Sequence, residues 1–190
     1  PIRLVQNTPD LKTSVIRAAT TALESVVESM MKDLKGKDLQ SLSEMLLEKG
    51  QTITGAVLST LLNGLAEGDA PSALCRQCGK DCAPHSHSGR QIATRHGEIS
   101  YERPYFYCAP CALGFAPFDD KMKIAPQKKQ YDLQVGAAEL LTEVPFDVAA
   151  RLFKRLTGQA ITDHTLHDLG ARLGDTARAE DVLPSRKKVE

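Results

Sequence analysis

A mainly α fold interrupted by one small, cysteine-held β module is what the sequence predicts, and three observations predict it. Apolar residues recur at three- and four-residue spacing along residues 9 to 65 and again along 131 to 173. Four cysteines stand as two CxxC pairs, Cys75 with Cys78 and Cys108 with Cys111. Between the pairs, β-branched and aromatic residues alternate with polar ones, the period of a strand.

The cysteines carry the most specific chemistry. Two residues between cysteines let both thiolates of a tight turn point at one ion, and two such turns complete the tetrahedral four-sulfur shell that zinc prefers. The pattern is that of a zinc ribbon holding one structural Zn2+, with Cys75, Cys78, Cys108 and Cys111 as ligands. Residues 79 to 107 separate the pairs, more than the roughly 15 to 20 of a compact ribbon, so a longer hairpin is expected. Cys82, His85 and His87 are rival ligands, and a Cys3His set is sterically open to them. Against this, the second CxxC completes a shell without them, and histidines in a polar loop are usually solvated.

Taken in order, residues 9 to 34 read as one amphipathic helix. Thr8 caps it, Pro9 suits the first helical position and Asp10 complements the positive end of the dipole. A second helix is expected from Asp38 to Glu48, ended by Gly50, and a third over residues 54 to 65. The three stripes bury one another in a bundle or pair with a second copy of the chain as a homodimer. GlyAspAlaProSer at 68 to 72 reads as a linker, and residues 83 to 90, APHSHSGR, as a polar loop. Ile92, Thr94, Ile99, Tyr101, Tyr105 and Tyr107 then define a hairpin turning at His96-Gly97. Residues 112 to 128 are a connector. A helix follows from Tyr131 to before Pro145, then one through Val148, Leu152 and Leu156 stopped by Gly158, then one capped by Thr162 with Leu166, Leu169 and Leu173 inward. Two short helices joined by a tight Gly-containing turn are the helix-turn-helix pattern; an αα-hairpin without a ligand has the same periodicity. The expected regions are an N-terminal helical bundle (1–68), a zinc ribbon (72–120), a helix-turn-helix (129–178) and a polar linker (179–190).

Composition limits the function classes. Hydrophobic residues make up 42% and charged residues 25%, as in a globular chain, while 5% aromatics and no Trp favour several small units over one large core. The net charge is zero, so the whole chain lacks the footprint of a nucleic-acid binder, but residues 71 to 128, with eight basic and five acidic side chains, are locally basic. No stretch approaches the ~20 apolar residues of a membrane span, and the N-terminus has no basic-then-apolar leader. Five cysteines, four of them in CxxC pairs, suit a reducing compartment, and the expected location is cytoplasmic, at the nucleoid when bound to DNA. The chain begins with Pro rather than Met, as a piece of a longer protein would.

The succession CRQCGK, HGEISYERPYFYCAPCALGFAPFD and LLTEVPFDVAARLFKRLTGQAITDHTL resembles the N-terminal half of the ISKra-type insertion-sequence transposases of the DDE superfamily. The resemblance runs over about residues 74 to 175, on Gly97 to Cys108, Cys108 to Asp119 and Glu143 to Ala150. It implies a zinc ribbon and helix-turn-helix that recognise double-stranded transposon-end DNA ahead of an RNase-H-like catalytic domain, which these residues do not include. This chain alone is then no enzyme. With Leu166, Leu169 and Leu173 inward, His164, Thr165, His167, Asp168, Ala171 and Arg172 turn outward as candidate base readers. Arg151, Lys154 and Arg155 on the preceding helix are candidate phosphate contacts. Cys82 and the His pair depart from the family pattern, and Asp163 and Asp168 oppose phosphate. A protein-interaction or oligomerisation module without DNA readout is the competing expectation.

Overall fold

The computed structural model describes residues 9–67 and 71–179. Thr8, the 68–70 part of the expected linker and the 180–190 tail lie outside the described residues. The fold is mainly helical with small antiparallel sheets, and it divides into two compact units between Gln130 and Tyr131.

The first unit opens with α1 (Pro9–Lys32), which carries Asp10 in its first turn and Lys32 in its last, both matched to the helix dipole. Gly36, at φ +79°, turns the chain, and Asp38 accepts from the Ser41 N–H at 2.9 Å to cap α2 (Leu39–Glu67). Here the expectation of two separate helices is corrected, because α2 runs unbroken through Gly50. A mid-helix glycine costs only about 1 kcal/mol, and the continuous helix gains more by packing along two surfaces. One side meets α1, where Lys49 Nζ donates to Ser29 Oγ at 2.6 Å. The other buries Leu62 and Ala66 against the sheet. The expected three-helix bundle is therefore a helical hairpin laid on β-structure.

A small hairpin, β1 (Ala73–Leu74) with β2 (Asp81–Cys82), leads into the three-stranded sheet of β3 (Pro84–Thr94), β4 (Gly97–Cys108) and β5 (Leu113–Phe115), in the order β3-β4-β5. The stretch read as a polar loop at 83 to 90 is the first half of β3, polar because residues 84 to 87 are exposed. Thr94 opposite Gly97 closes a two-residue turn at Arg95-His96, one residue earlier than expected, with Gly97 at φ +91°. Beyond its short pairing with β5, the second edge of β4 is satisfied by α2: Ser59 Oγ donates to the Ser100 carbonyl, and the Glu102 N–H donates to Asn63 Oδ1 at 2.8 Å. The helix occupies the place of a missing strand. Its approach is close enough that a Cβ on Gly55 would lie 2.7 Å from the His96 carbonyl oxygen. Where the sequence reads residues 1–68 and 72–120 as separate regions, Leu62, Ala66, Ile92, Ile99 and Tyr101 share one core.

The expected connector at 112 to 128 contains α3 (Pro117–Lys121), and Phe118 enters that core. Next to it, Asp119 accepts from Tyr101 Oη at 2.6 Å, Arg90 Nη1 at 2.7 Å and Arg103 Nη2 at 3.1 Å. Arg103 also donates to the Ser88 carbonyl at 2.6 Å. The buried Gln130 side chain binds Ala125 N–H at 2.7 Å and the Gln127 carbonyl at 2.9 Å, and its backbone N–H donates to the Ala93 carbonyl at 2.9 Å, so the loop returns to the edge of β3.

The second unit is three helices: α4 (Tyr131–Glu143), α5 (Phe146–Thr157) and α6 (Asp163–Ala179). Leu133, Ala137, Ala149, Phe153, Leu166 and Leu169 are buried. Gly158 ends α5 at φ +70°, its N–H donating to the Lys154 carbonyl at 2.8 Å, and Thr162 Oγ1 accepts from the Thr165 N–H at 3.2 Å to start α6. Leu173, expected inward, is 44% exposed, because Gly170 already lies beside Leu141 and Phe146, where α4 ends and α5 begins, and the helix runs on past them.

Two outcomes test this architecture. Burial alone would raise the Asp119 carboxyl, but hydrogen bonds from Arg103, Tyr101 and Arg90 outweigh it and hold the group below the usual carboxylate value. Its contribution to stability is therefore present above about pH 4 and lost as the pH falls below that. Asp119→Asn, which leaves the buried Arg103 and the half-buried Arg90 without their anion, is expected to cost about 3 kcal/mol in urea unfolding at pH 7 and to flatten the acid limb of the stability curve. Gly55→Ala is expected to destabilise despite the better helix propensity of Ala, by about 1 kcal/mol or more, read from the same unfolding midpoint.

Candidate metal centre

The first CxxC lies on the turn between β1 and β2. The Cys75 N–H donates to the Lys80 carbonyl and the Gly79 N–H to the Cys75 carbonyl, both at 2.8 Å, and Gly79 sits at φ +69°, so the chain closes on itself with both sulfurs on its inner side. The second CxxC begins at the last residue of β4. Ala109–Cys111 form a 3-10 turn with Pro110 inside it, and Ala112 takes a left-handed conformation at φ +48° before β5 returns along Phe106 to Cys108. Gly114 in that return strand leaves room for the Tyr105 ring, which a side chain at 114 would strike.

These two turns bring the sulfurs of Cys75, Cys78, Cys108 and Cys111 within 4.8 Å of one another. Cys78 Sγ and Cys108 Sγ are 3.6 Å apart. That is far beyond the ~2.05 Å of a disulfide and close to the ~3.8 Å edge of a tetrahedron with 2.3 Å metal–sulfur bonds. Four sulfurs so arranged can hold a metal ion, as the sequence expects of these four residues.

Three of the four thiols depart from their ordinary value, two of them upward. Backbone N–H groups of Cys78 and then Gln77 lower the Cys75 thiol toward ionisation. Burial pushes the Cys108 thiol up, and the Cys78 thiol followed by burial does the same to Cys111. Four thiolates cannot share this space unaided, and a bound cation removes the repulsion. Phe106 and Phe115, ring centroids 5.8 Å apart and nearly parallel, pack beside Cys75 and Cys108 and shield this side.

The rival ligands stand apart from this group. Cys82 is buried in the same apolar cluster, but its Sγ lies 3.6 Å from the Lys80 carbonyl and it is outside the four-sulfur set. His85 and His87 are exposed on β3, with His85 beside the Tyr107 ring at 6.0 Å between centroids. Of the residues proposed for DNA, Arg151, Lys154 and Arg155 are exposed on α5; His164, His167, Asp168 and Arg172 are exposed on α6, with Thr165 half-buried. His164 Nδ1 lies 3.0 Å from an Asp168 carboxylate oxygen, and the His167 ring stands 5.7 Å from that of Phe146. Among the described residues no helix is long and apolar enough to cross a membrane. The sequence reading missed the Asp119 clasp. Its signal was the alternation that turns Tyr101 and Arg103 to one face, opposite Arg90 in register, a pair of inward cations that demands a counter-charge.

Metal content by elemental analysis is expected to fall from one ion per chain to none in Cys111→Ser, and to remain at one in Cys82→Ser; the reverse result would move the site into the loop. Chelation is expected to have a local effect, because the β3–β4 hairpin is held by the α2 core, not by the sulfurs alone. Hydrogen exchange should rise at residues 73–82 and 108–115 while residues 90–103 stay protected.

Comparison of the chain with models of protein families, with curated proteins and with solved structures finds no match. What the centre can do therefore follows from its own geometry.

Proposed function

We propose that the chain is the zinc-containing, DNA-binding N-terminal part of an insertion-sequence transposase. The observation that carries the reading is the four-sulfur cluster, followed in the sequence by two short helices of which the first, α5, exposes Arg151, Lys154 and Arg155. Zinc is the metal of choice because a tetrahedral all-thiolate shell suits it and closes the site to substrate, leaving the ion a structural role. Iron binds the same donor set, and elemental analysis separates the two.

For DNA, support comes from α5 and α6. They are joined by residues 158–162, with the left-handed Gly158 and the Thr162 cap making the turn tight. The tight turn supports reading the pair as a helix-turn-helix, in which the second helix enters the major groove by its N-terminal residues. His164, Thr165, His167, Asp168 and Arg172 then face the bases, and Arg151, Lys154 and Arg155 meet phosphates. The objection from Asp168 is eased by His164, whose Nδ1 lies 3.0 Å from its carboxylate. Acidic Asp163 in the first turn still opposes phosphate, so binding is weak and depends on the basic ribbon. Strand transfer itself needs carboxylates around two divalent ions about 4 Å apart, supplied in this reading by a separate catalytic domain.

Fluorescence titration of duplex DNA at several salt concentrations tests the reading. Lys154→Ala with Arg155→Ala is expected to weaken binding on all sequences and to flatten the salt slope by roughly one unit per lost phosphate contact. Unchanged affinity and slope would favour the assembly-module alternative.

A further inference from the structure

α1 carries two apolar stripes, and only one of them is used within the chain. Val26 is buried, and Leu11, Val15, Ala22 and Met30 are half-buried along the face toward α2. A second row, Ile16, Leu23, Val27 and Met31, is 55%, 49%, 47% and 64% exposed. Its spacing of seven, four and four residues keeps it on one face, about a third of a turn from the first. Single exposed apolar residues are ordinary, whereas a continuous row of four marks an interaction surface.

We propose that this surface docks α1 of a second copy of the chain, running antiparallel about a two-fold axis that passes between Thr21 and Ala22. The charges beside the row select this occupant. Arg17, Glu24 and Glu28, all exposed, lie along the same flank of the stripe. About that axis Ile16 opposes Val27 of the second copy and Thr20 opposes its Leu23. Arg17 then falls opposite position 26, between Glu24 and Glu28 of the second copy, and the symmetry repeats the contact on the other side. A parallel pair would instead carry this flank of the second copy to the opposite side of the seam, where Arg17 meets neither glutamate. Leu46 and Leu47 of α2, 57% and 52% exposed, offer further apolar area on the same helical hairpin. The inference stands apart from the DNA reading and survives its failure.

Analytical ultracentrifugation of the full, metal-loaded chain tests it. The chain, 20.7 kDa as a monomer, is expected to sediment at twice that mass. Leu23→Asp with Val27→Asp should give a monomer with unchanged helical circular dichroism and metal content. Arg17→Glu, which leaves the apolar row intact, should raise the dimer dissociation constant about tenfold, since it sets like charges together at two symmetric exposed contacts. The triple exchange Arg17→Glu, Glu24→Arg, Glu28→Arg should restore it. A wild-type chain that stays monomeric at all concentrations overturns the proposal. So does a dimer indifferent to these substitutions, and so does open-ended association beyond the dimer.

Discussion

Two guanidinium groups facing inward from paired strands, Arg90 and Arg103, would be untenable in a small core without an anion between them, and Asp119 meets both. Much of the first unit follows from that meeting. It fixes a five-residue helix under the sheet, and that helix is too short to hold itself. It sets Phe118 beside Tyr101, ring centroids 6.0 Å apart. It also brings the Arg90 guanidinium to the Pro126 carbonyl at 3.1 Å, which starts the return of the chain to Gln130 and the edge of β3. The same carboxylate stands eight residues beyond Cys111, so the second cysteine turn is held between β4 on one side and an anchored helix on the other.

The two cysteine turns are supported unequally. Cys108 belongs to β4, which has partners along both edges, and its turn is braced by the stacked Phe106 and Phe115. Cys75 and Cys78 sit on a hairpin of two residue pairs, Ala73 with Cys82 and Leu74 with Asp81. Such a ribbon is marginal by itself, so the metal would fasten a weak arm to a strong one. Buried Cys82 fits this picture as a small apolar side chain under the arm rather than as a ligand.

Local chemistry was legible wherever it was decisive. The CxxC pairs, the Gly158 stop, the Thr162 cap and the limits of α4 each rest on a few adjacent residues, and the structure keeps them all. Misreadings arose where tertiary contacts outweighed local preference. Gly50 is a reasonable helix end, but α1 and the sheet together pay for its inclusion. APHSHSGR has the composition of a loop and becomes strand because β4 offers a long partner. Asp119 looked like one acidic residue in a Pro-containing connector, since nothing within a few residues of it reveals two arginines supplied by other strands. Ser59 and Asn63 were equally silent, being polar residues on a helix whose partners are backbone groups some forty positions away.

Those two side chains bear on what kind of unit the cysteine-bearing module is. Small cysteine-held modules are often regarded as portable pieces that can be cut from one chain and grafted into another. Here the Ser100 carbonyl and the Glu102 amide are completed by a helix that ends before the cysteines begin, and the apolar faces of Ile92 and Ile99 rest on the same helix. A segment excised at residue 72 would carry its sulfurs intact and leave a raw strand edge beside an uncovered core, the combination that recruits neighbouring chains. The smallest transplantable piece therefore includes α2, and α2 brings with it the helix it lies against.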